Sequence, residues 1–496
     1  MVFVLFLIEG LRPEAFVSPR CCDEQLRGEL TGTASCGVCW HHHAPRRGAG
    51  RKATNLNPAA ATKEKSVPQS HVSHNTTLLI VWQLISHIGT WWGVDRMIGV
   101  HEENSTKTTP EPGADTEVEG ASSAPSSPAG AQGRLALLPV AVLVAVVGTA
   151  VRITVLSVIA GVNEQEMWGR LTAWDSKYYL EIARAGYFDA DINTDGPVHE
   201  ITMAFFPGFP LLLRVLGWTG ISLEIAALIV NTLLTAVMAA GVMVLARRVG
   251  AQRRGQCAAA LVVSSAPMSI VFSMPYTEAL FGALVVWGLI ALDDRAWWRA
   301  AAFGFALSFV RLTSVDFLAV FALWALIYGR RSWQAWLGLV VAALPLPAYL
   351  LWTQRYLADA GGYFGIQTEH WNSTFDGGAA TVQFVWETLT ENNDVGYLLT
   401  TLVIVGVPVL LLAAWGRVTP VAWWFSAALC ANVLLSDGIM HSRPRLLLPA
   451  IILILPWVVR AASALRPRVL WAACGAWVLW SAWFSAYMLV VFEWAI

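Results

Sequence analysis

The sequence predicts an all-α polytopic membrane protein, and three observations carry that prediction. The chain is 56% hydrophobic and only 14% charged, where soluble domains carry about 25% charged residues. Several apolar runs approach the roughly 20 residues that a helix needs to cross a bilayer. Many of the 25 tryptophans sit near the ends of those runs, where an amphipathic ring favours the membrane interface. The formal net charge is −1, and no basic stripe is interleaved with aromatics, so a nucleic-acid partner is not expected.

The chain divides at residue 133. Residues 1–133 are expected to form a disordered N-terminal tail. Met1 to Ile8 is apolar but short for a signal peptide, and no basic residue precedes it. Leu78 to Val100 is interrupted by Gln83, His87, Asp95 and Arg96, which makes it a poor span. Residues 101–133 are rich in Glu, Thr, Ser, Pro, Ala and Gly, a linker composition. Part of this tail reads as upstream sequence, with translation starting near Met97; peptides from residues 10–60 in the native protein would contradict that hypothesis. Cys36 and Cys39 precede His41, His42 and His43, but no regular second ligand pair follows, so zinc is not expected. Cys257, Cys430 and Cys474 stand singly in apolar runs and read as packing residues.

The membrane domain occupies residues 134–496. About 11 transmembrane helices are expected, at roughly 136–160, 221–246, 256–273, 278–292, 296–310, 315–328, 334–353, 396–414, 419–436, 446–459 and 468–491. Helices buried in a bundle can be shorter than a full crossing. Arg134, Arg247, Arg248, Arg253, Arg254, Arg295, Arg299, Arg330, Arg331, Arg417, Arg460, Arg466 and Arg468 then all fall on one side, which the bias of basic residues makes cytoplasmic. The alternate segments, 161–220, 275–278, 311–314, 354–395 and 437–445, face outside. They hold nearly every chemically suggestive residue, so a working site is expected at the outer leaflet.

The first of these segments contains Trp174-Asp175-Ser176-Lys177-Tyr178-Tyr179. On a helix, Lys177, Glu181 and Arg184 form one charged stripe, and Asp175 falls on the opposite, apolar side. A carboxylate facing burial is costly without a partner or a use. Two readings fit it. Asp175 is an N-cap of a helix that starts at Ser176, or it is a functional carboxylate with Trp174, Lys177 and Tyr178 as neighbouring substrate contacts. Further on, Phe206-Pro207-Gly208-Phe209-Pro210 stays extended at Phe206 and Phe209, since a residue before proline avoids the helical region. It reads as a re-entry turn or as an apolar platform under a lipid-linked substrate.

Pro275-Tyr276-Thr277-Glu278 forms an outer tip, and Glu278 either complements a helix N-terminus or, with Tyr276, contacts substrate. Arg311 interrupts an apolar stretch; an intramembrane arginine is usually functional or paired, and a bidentate phosphate contact suits it. Gln367, His370 and Trp371 read as a lid or sugar-stacking wall, or as a plain interfacial loop. His441, Arg443 and Arg445 place two arginines and a histidine at an outer face, which suits an anion or a lipid headgroup. No Walker or dinucleotide-binding motif appears, so any sugar donor arrives attached to a lipid.

In order along the chain, Trp174-Asp175 through Ala183-Arg184-Ala185-Gly186-Tyr187, Ala204-Phe205-Phe206-Pro207-Gly208-Phe209-Pro210-Leu211 and Pro275-Tyr276-Thr277-Glu278-Ala279-Leu280-Phe281 resemble the PIG-V family. These are the second mannosyltransferases of GPI-anchor synthesis and their bacterial relatives. The resemblance covers about residues 135–495. It implies a GT-C fold with an elaborated first extracytoplasmic loop. It also implies a polyprenyl- or dolichyl-phosphate mannose donor and inverting transfer to a lipid-linked or glycan acceptor. The family's acidic catalytic candidate corresponds to Asp175, which would be the general base. Arg311-Leu312-Thr313-Ser314 is a looser match, His441 to Arg445 a weak one, and the tail has no counterpart. The Ala/Val/Trp/Arg-rich composition points to a bacterial plasma membrane rather than an endoplasmic reticulum, which leaves the acceptor open.

The chemistry asks for a base at the acceptor hydroxyl and cations at the leaving phosphate. Nothing in the sequence requires a metal, and no other cofactor is expected. The partners expected are membrane lipids, the lipid-phosphate sugar donor and the acceptor. Two other readings compete: a lipid or sugar transporter or flippase, which should show internal repeats that this sequence lacks, and a GT-C transferase of another hexose or a pentose.

Overall fold

The computed structural model describes residues 137–194, 196–391 and 394–494. The tail, its cysteines and its histidines therefore lie outside the described residues. Among the described residues the chain is all-helical: no strand forms, and Phe375 and Ser436 make a single isolated bridge.

The eleven apolar runs all become helical, but not eleven long helices. Five helices are long and apolar enough to cross a membrane: Leu138–Val162, Leu223–Arg248, Trp333–Gln354 (one span with a turn at Leu344), Val395–Ala413 and Pro467–Val490. A sixth is counted if Met440–Leu446 and Leu448–Ala464, bent by 57°, are one span. The protein is thus a polytopic membrane protein, with five or six helices among the described residues long and apolar enough to cross a bilayer by themselves. The remaining runs give shorter helices: Arg253–Ser264, Glu278–Asp293, Trp297–Ser308, Ser314–Tyr328 and Pro420–Leu434.

The causes of the shortening are local. The run at 256–273 breaks at Met268, whose φ of +66° is left-handed, before a 3-10 turn at Ser269–Phe272. The run at 446–459 carries Pro449, which removes a backbone donor from the helical ladder, and Leu448–Ile454 winds as a 3-10 helix. These breaks place irregular backbone inside the bundle, where protein groups must satisfy it.

Arg152 meets part of that demand. It lies fully buried within the first long helix. Its Nη1 donates to the carbonyl of Ser264 at 3.0 Å, the last residue of the Arg253–Ser264 helix, and its Nε to Ser273 Oγ at 3.1 Å. Nη2 donates to Thr149 Oγ1 at 3.0 Å. A guanidinium at a helix C-terminus satisfies orphan carbonyls and suits the negative end of the dipole. Arg152 therefore ties down both ends of the break that leads into Pro275-Tyr276. Arg152→Ala is expected to lower stability in detergent by about 2–4 kcal/mol, from the cavity and the lost hydrogen bonds together. An unchanged thermal midpoint would contradict this role.

The loop after the first span is built on Asp175–Arg184, Val198–Thr202 and Gly208–Gly217. Tyr349 Oη donates to the carbonyls of Met203 (3.0 Å) and Phe205 (2.9 Å), Tyr187 Oη to Phe205 O (2.9 Å) and Tyr363 Oη to Ala204 O (3.2 Å). Three phenols thus supply the donors that this irregular backbone lacks. Burial pushes the Tyr187 hydroxyl above its ordinary value, so it stays a neutral donor. Gly208 follows directly: its N–H donates to Phe309 O at 2.8 Å, and an added Cβ would stand 2.8 Å from that same oxygen.

Candidate active site

Asp175 is the first residue of the Asp175–Arg184 helix. Trp174 before it adopts φ +57° and ψ −128°, a strained conformation for a residue with a Cβ. The helix starts one residue earlier than the capping reading requires, and no side-chain capping bond is made there. The Asp175 carboxylate instead pairs with Arg445, Oδ2 to Nη2 at 2.6 Å. Its backbone N–H donates to Tyr276 Oη at 3.2 Å. At the other end, Arg214 donates to the carbonyls of Ala183 (2.8 Å) and Ile182 (3.2 Å). The helix that carries Asp175 is held at both ends.

Glu278 opens the Glu278–Asp293 helix and is almost wholly buried, with its side chain 3% exposed. Its Oε1 lies 2.7 Å from Arg311 Nη1 and 4.0 Å from Arg445 Nη1. Arg445 also lies over the Tyr276 ring, 4.9 Å from its centroid. Asn231 holds the turn that sets Tyr276 and Glu278, donating to Met274 O at 2.5 Å and to Tyr276 O at 3.1 Å. Two carboxylates and two guanidiniums therefore form one chain, Asp175–Arg445–Glu278–Arg311, with opposite charges in sequence. Removing Glu278, the most deeply buried member and the one that faces both arginines, would leave uncompensated charge at a cost of about 3–5 kcal/mol.

Four segments far apart in sequence supply this network: the first loop, the 274–278 turn, the 309–313 turn and the helix Arg443–Leu446. A fifth packs against the first loop, since Trp371 meets Phe205 edge-on at 5.8 Å. Tyr178 stacks on Phe205 at 5.0 Å, and Lys177 Nζ lies 4.9 Å from the Tyr178 centroid. Aromatic faces and the Lys177 cation thus lie in the first turn of the helix that carries Asp175.

The other candidates are placed differently. Phe206 is buried against Tyr349 (4.4 Å) and Tyr363 (5.8 Å), and Pro207 precedes the Gly208–Gly217 helix. They form the inner wall of the loop rather than an open platform. Arg443 is committed to the carbonyls of Val433 and Ser436 and, at 3.3 Å, to Thr381 Oγ1, so its guanidinium joins helices. His441 packs among the rings of Tyr397, Phe492 and Trp494. His370 is exposed and meets Trp371 edge-on. Neither Gln367 nor His370 pairs with the four charged residues among the described residues.

The sequence reading passes over Arg152 and Asn231. Both carried a signal, because a charged or amide side chain inside an apolar run needs a partner. No group of three or more His, Cys, Asp or Glu side chains that could hold a metal occurs among the described residues.

A narrow cleft of about 20 Å³ adjoins the network. Glu278, Arg311 and Arg445 line it together with apolar groups that include Met238, Phe272, Phe281 and Ile451. Two buried polar atoms of these residues have no hydrogen-bond partner: Glu278 Oε2 and Arg445 Nε. Such atoms are uncommon in folded proteins and call for an explanation.

Residues 141–330 match the Mannosyltransferase (PIG-V) family. The match includes Asp175, Glu278 and Arg311 and ends before Arg445. A GPI alpha-1,6-mannosyltransferase 2 of Rattus norvegicus is 32% identical over 170 residues, which are 31% of this chain and 32% of the relative. The chain therefore spans about a third of the length of the curated relative it matches. The PIG-V resemblance read from the sequence motifs is borne out over that region. No solved structure matches the chain.

Proposed function

We propose that this protein is a membrane mannosyltransferase of the GT-C type that moves mannose from a polyprenyl-phosphate donor to a lipid-linked or glycan acceptor, with inversion. The observation that carries the reading is the network itself. It sets a carboxylate, Asp175, directly against Arg445, one of two arginines that line an apolar cleft. That arrangement provides what transfer from a lipid phosphate needs. Arg311 and Arg445 would hold the phosphate and stabilise the charge that grows on it as the glycosidic bond breaks. Asp175 would take the proton from the acceptor hydroxyl as that oxygen attacks the anomeric carbon from the opposite side. The lipid phosphate departs as an anion, so no separate acid is needed.

The cleft supports a lipid-borne donor. In this form it holds only one or two water-sized groups, so the first isoprene units enter by parting its walls. Met238 forms one of them, and its thioether side chain is among the most adaptable in a core. The PIG-V match and the relative's printed activity support mannose as the sugar. The distribution of arginines along the sequence supports an extracytoplasmic site.

Purified protein in vesicles, supplied with polyprenyl-phosphate mannose carrying a labelled sugar and a membrane lipid extract, is expected to form a new labelled glycolipid or glycan. Movement of the donor across the vesicle membrane with no product would favour the flippase reading instead.

A further inference from the structure

We infer that Glu278 reads the configuration at C2 of the transferred sugar, through the carboxylate oxygen that its arginines leave free. The inference rests on the mannosyltransferase reading above. Three observations support it. Glu278 Oε1 is already bound, 2.7 Å from Arg311 Nη1 and 4.0 Å from Arg445 Nη1. Glu278 Oε2 is buried without a hydrogen-bond partner. All three side chains line the same cleft.

The two oxygens of one carboxylate sit side by side, so an acceptor is held next to the guanidiniums that would take the donor phosphate. In a sugar phosphate, the phosphate oxygen is attached to C1, and the nearest free hydroxyl is on C2. Mannose and glucose differ only in the direction of that hydroxyl. A hydroxyl on one side of C2 can donate to Oε2 while the phosphate lies on Arg311 and Arg445; on the other side it cannot. The unpartnered Nε of Arg445 offers a donor to the same group. A site built to bind a substrate hydroxyl discriminates strongly against the analogue that lacks it, because its own polar atoms are then left unpaired.

The test compares three donors that share one polyprenyl phosphate: mannosyl, 2-deoxymannosyl and glucosyl. With the wild-type protein, kcat/KM is expected to fall about 10- to 100-fold for the 2-deoxy donor, the worth of one hydrogen bond to a charged group, and at least as far for the glucosyl donor. In Glu278→Gln and Glu278→Ala, checked for folding by monodisperse elution in detergent, the ratio between mannosyl and 2-deoxymannosyl donors should shrink towards one. A variant that turns over nothing is read by the thermal shift that each donor produces, with the same ordering expected in the wild type and lost in the variant. Wild-type kcat/KM equal for the mannosyl and 2-deoxy donors would overturn the inference. So would variants that lose activity on all three donors in equal proportion, as a purely structural Glu278 would. Failure of the wild type to use any of the three donors would instead refute the mannosyltransferase reading.

Discussion

Asp175→Asn is expected to reduce sugar transfer by about 100- to 10,000-fold, the usual contribution of a positioned general base, while the protein still folds and inserts. The amide keeps the size of the side chain and can still accept a hydrogen bond from Arg445, so the packing around the 2.6 Å contact should survive. It cannot take a proton. The environment of Asp175 makes this a clean substitution, because Tyr276 and Arg214 hold the helix through backbone atoms at its two ends, independent of the carboxylate. Initial rates with polyprenyl-phosphate mannose, alongside the thermal midpoint of each protein, separate the two effects. Retained transfer would remove Asp175 from the chemistry; a midpoint that collapses together with the rate would make its role structural.

Arg311→Ala is expected to raise the donor KM by about 10- to 100-fold, from the loss of charge-assisted contacts to the phosphate. It should also weaken the fold, because Glu278 keeps only Arg445, 4.0 Å away. Arg311→Lys is the discriminating companion. A lysine restores the charge but not the planar fork, so it should recover stability more fully than donor affinity. If Arg311 served only to neutralise Glu278, lysine would recover both equally. Donor titrations at saturating acceptor, read as KM against kcat, distinguish the two cases. An unchanged donor dependence in Arg311→Ala would place the phosphate elsewhere.

Much of this site was legible in the sequence because its charges are conspicuous against an apolar background. Arg311 stands out in its run, Glu278 opens a span, and Asp175 falls on the wrong face of an amphipathic helix. The sorting of basic residues also grouped the 161–220, 275–278, 311–314, 354–395 and 437–445 segments, and contacts between them do form. The pairings were not legible. Nothing in the spacing of Asp175 and Arg445, so distant in the chain, says that they meet, whereas Arg443, only two residues away, turns to the carbonyls of Val433 and Ser436.

Where the apolar runs break was not legible for a related reason. Hydropathy runs continue through Met268 and Pro449, where the backbone leaves the α-helix, because an apolar side chain looks the same in a helix, a 3-10 turn or a break. Arg152 and Asn231 show the cost of such breaks. They sit inside long spans and spend their donors on backbone carbonyls that no helix satisfies. Had the breaks been foreseen, two buried donors facing them would have been the natural expectation.

The cleft lined by Glu278, Arg311 and Arg445 is the proposed seat of the lipid phosphate. A polyprenyl phosphate with a photoreactive group on its first isoprene unit tests it most directly. After irradiation in vesicles, labelled peptides should fall within 278–286 and 446–452, and excess unlabelled polyprenyl phosphate should suppress them. Competable labelling confined to other parts of the chain, with these two segments untouched, would place the lipid phosphate elsewhere.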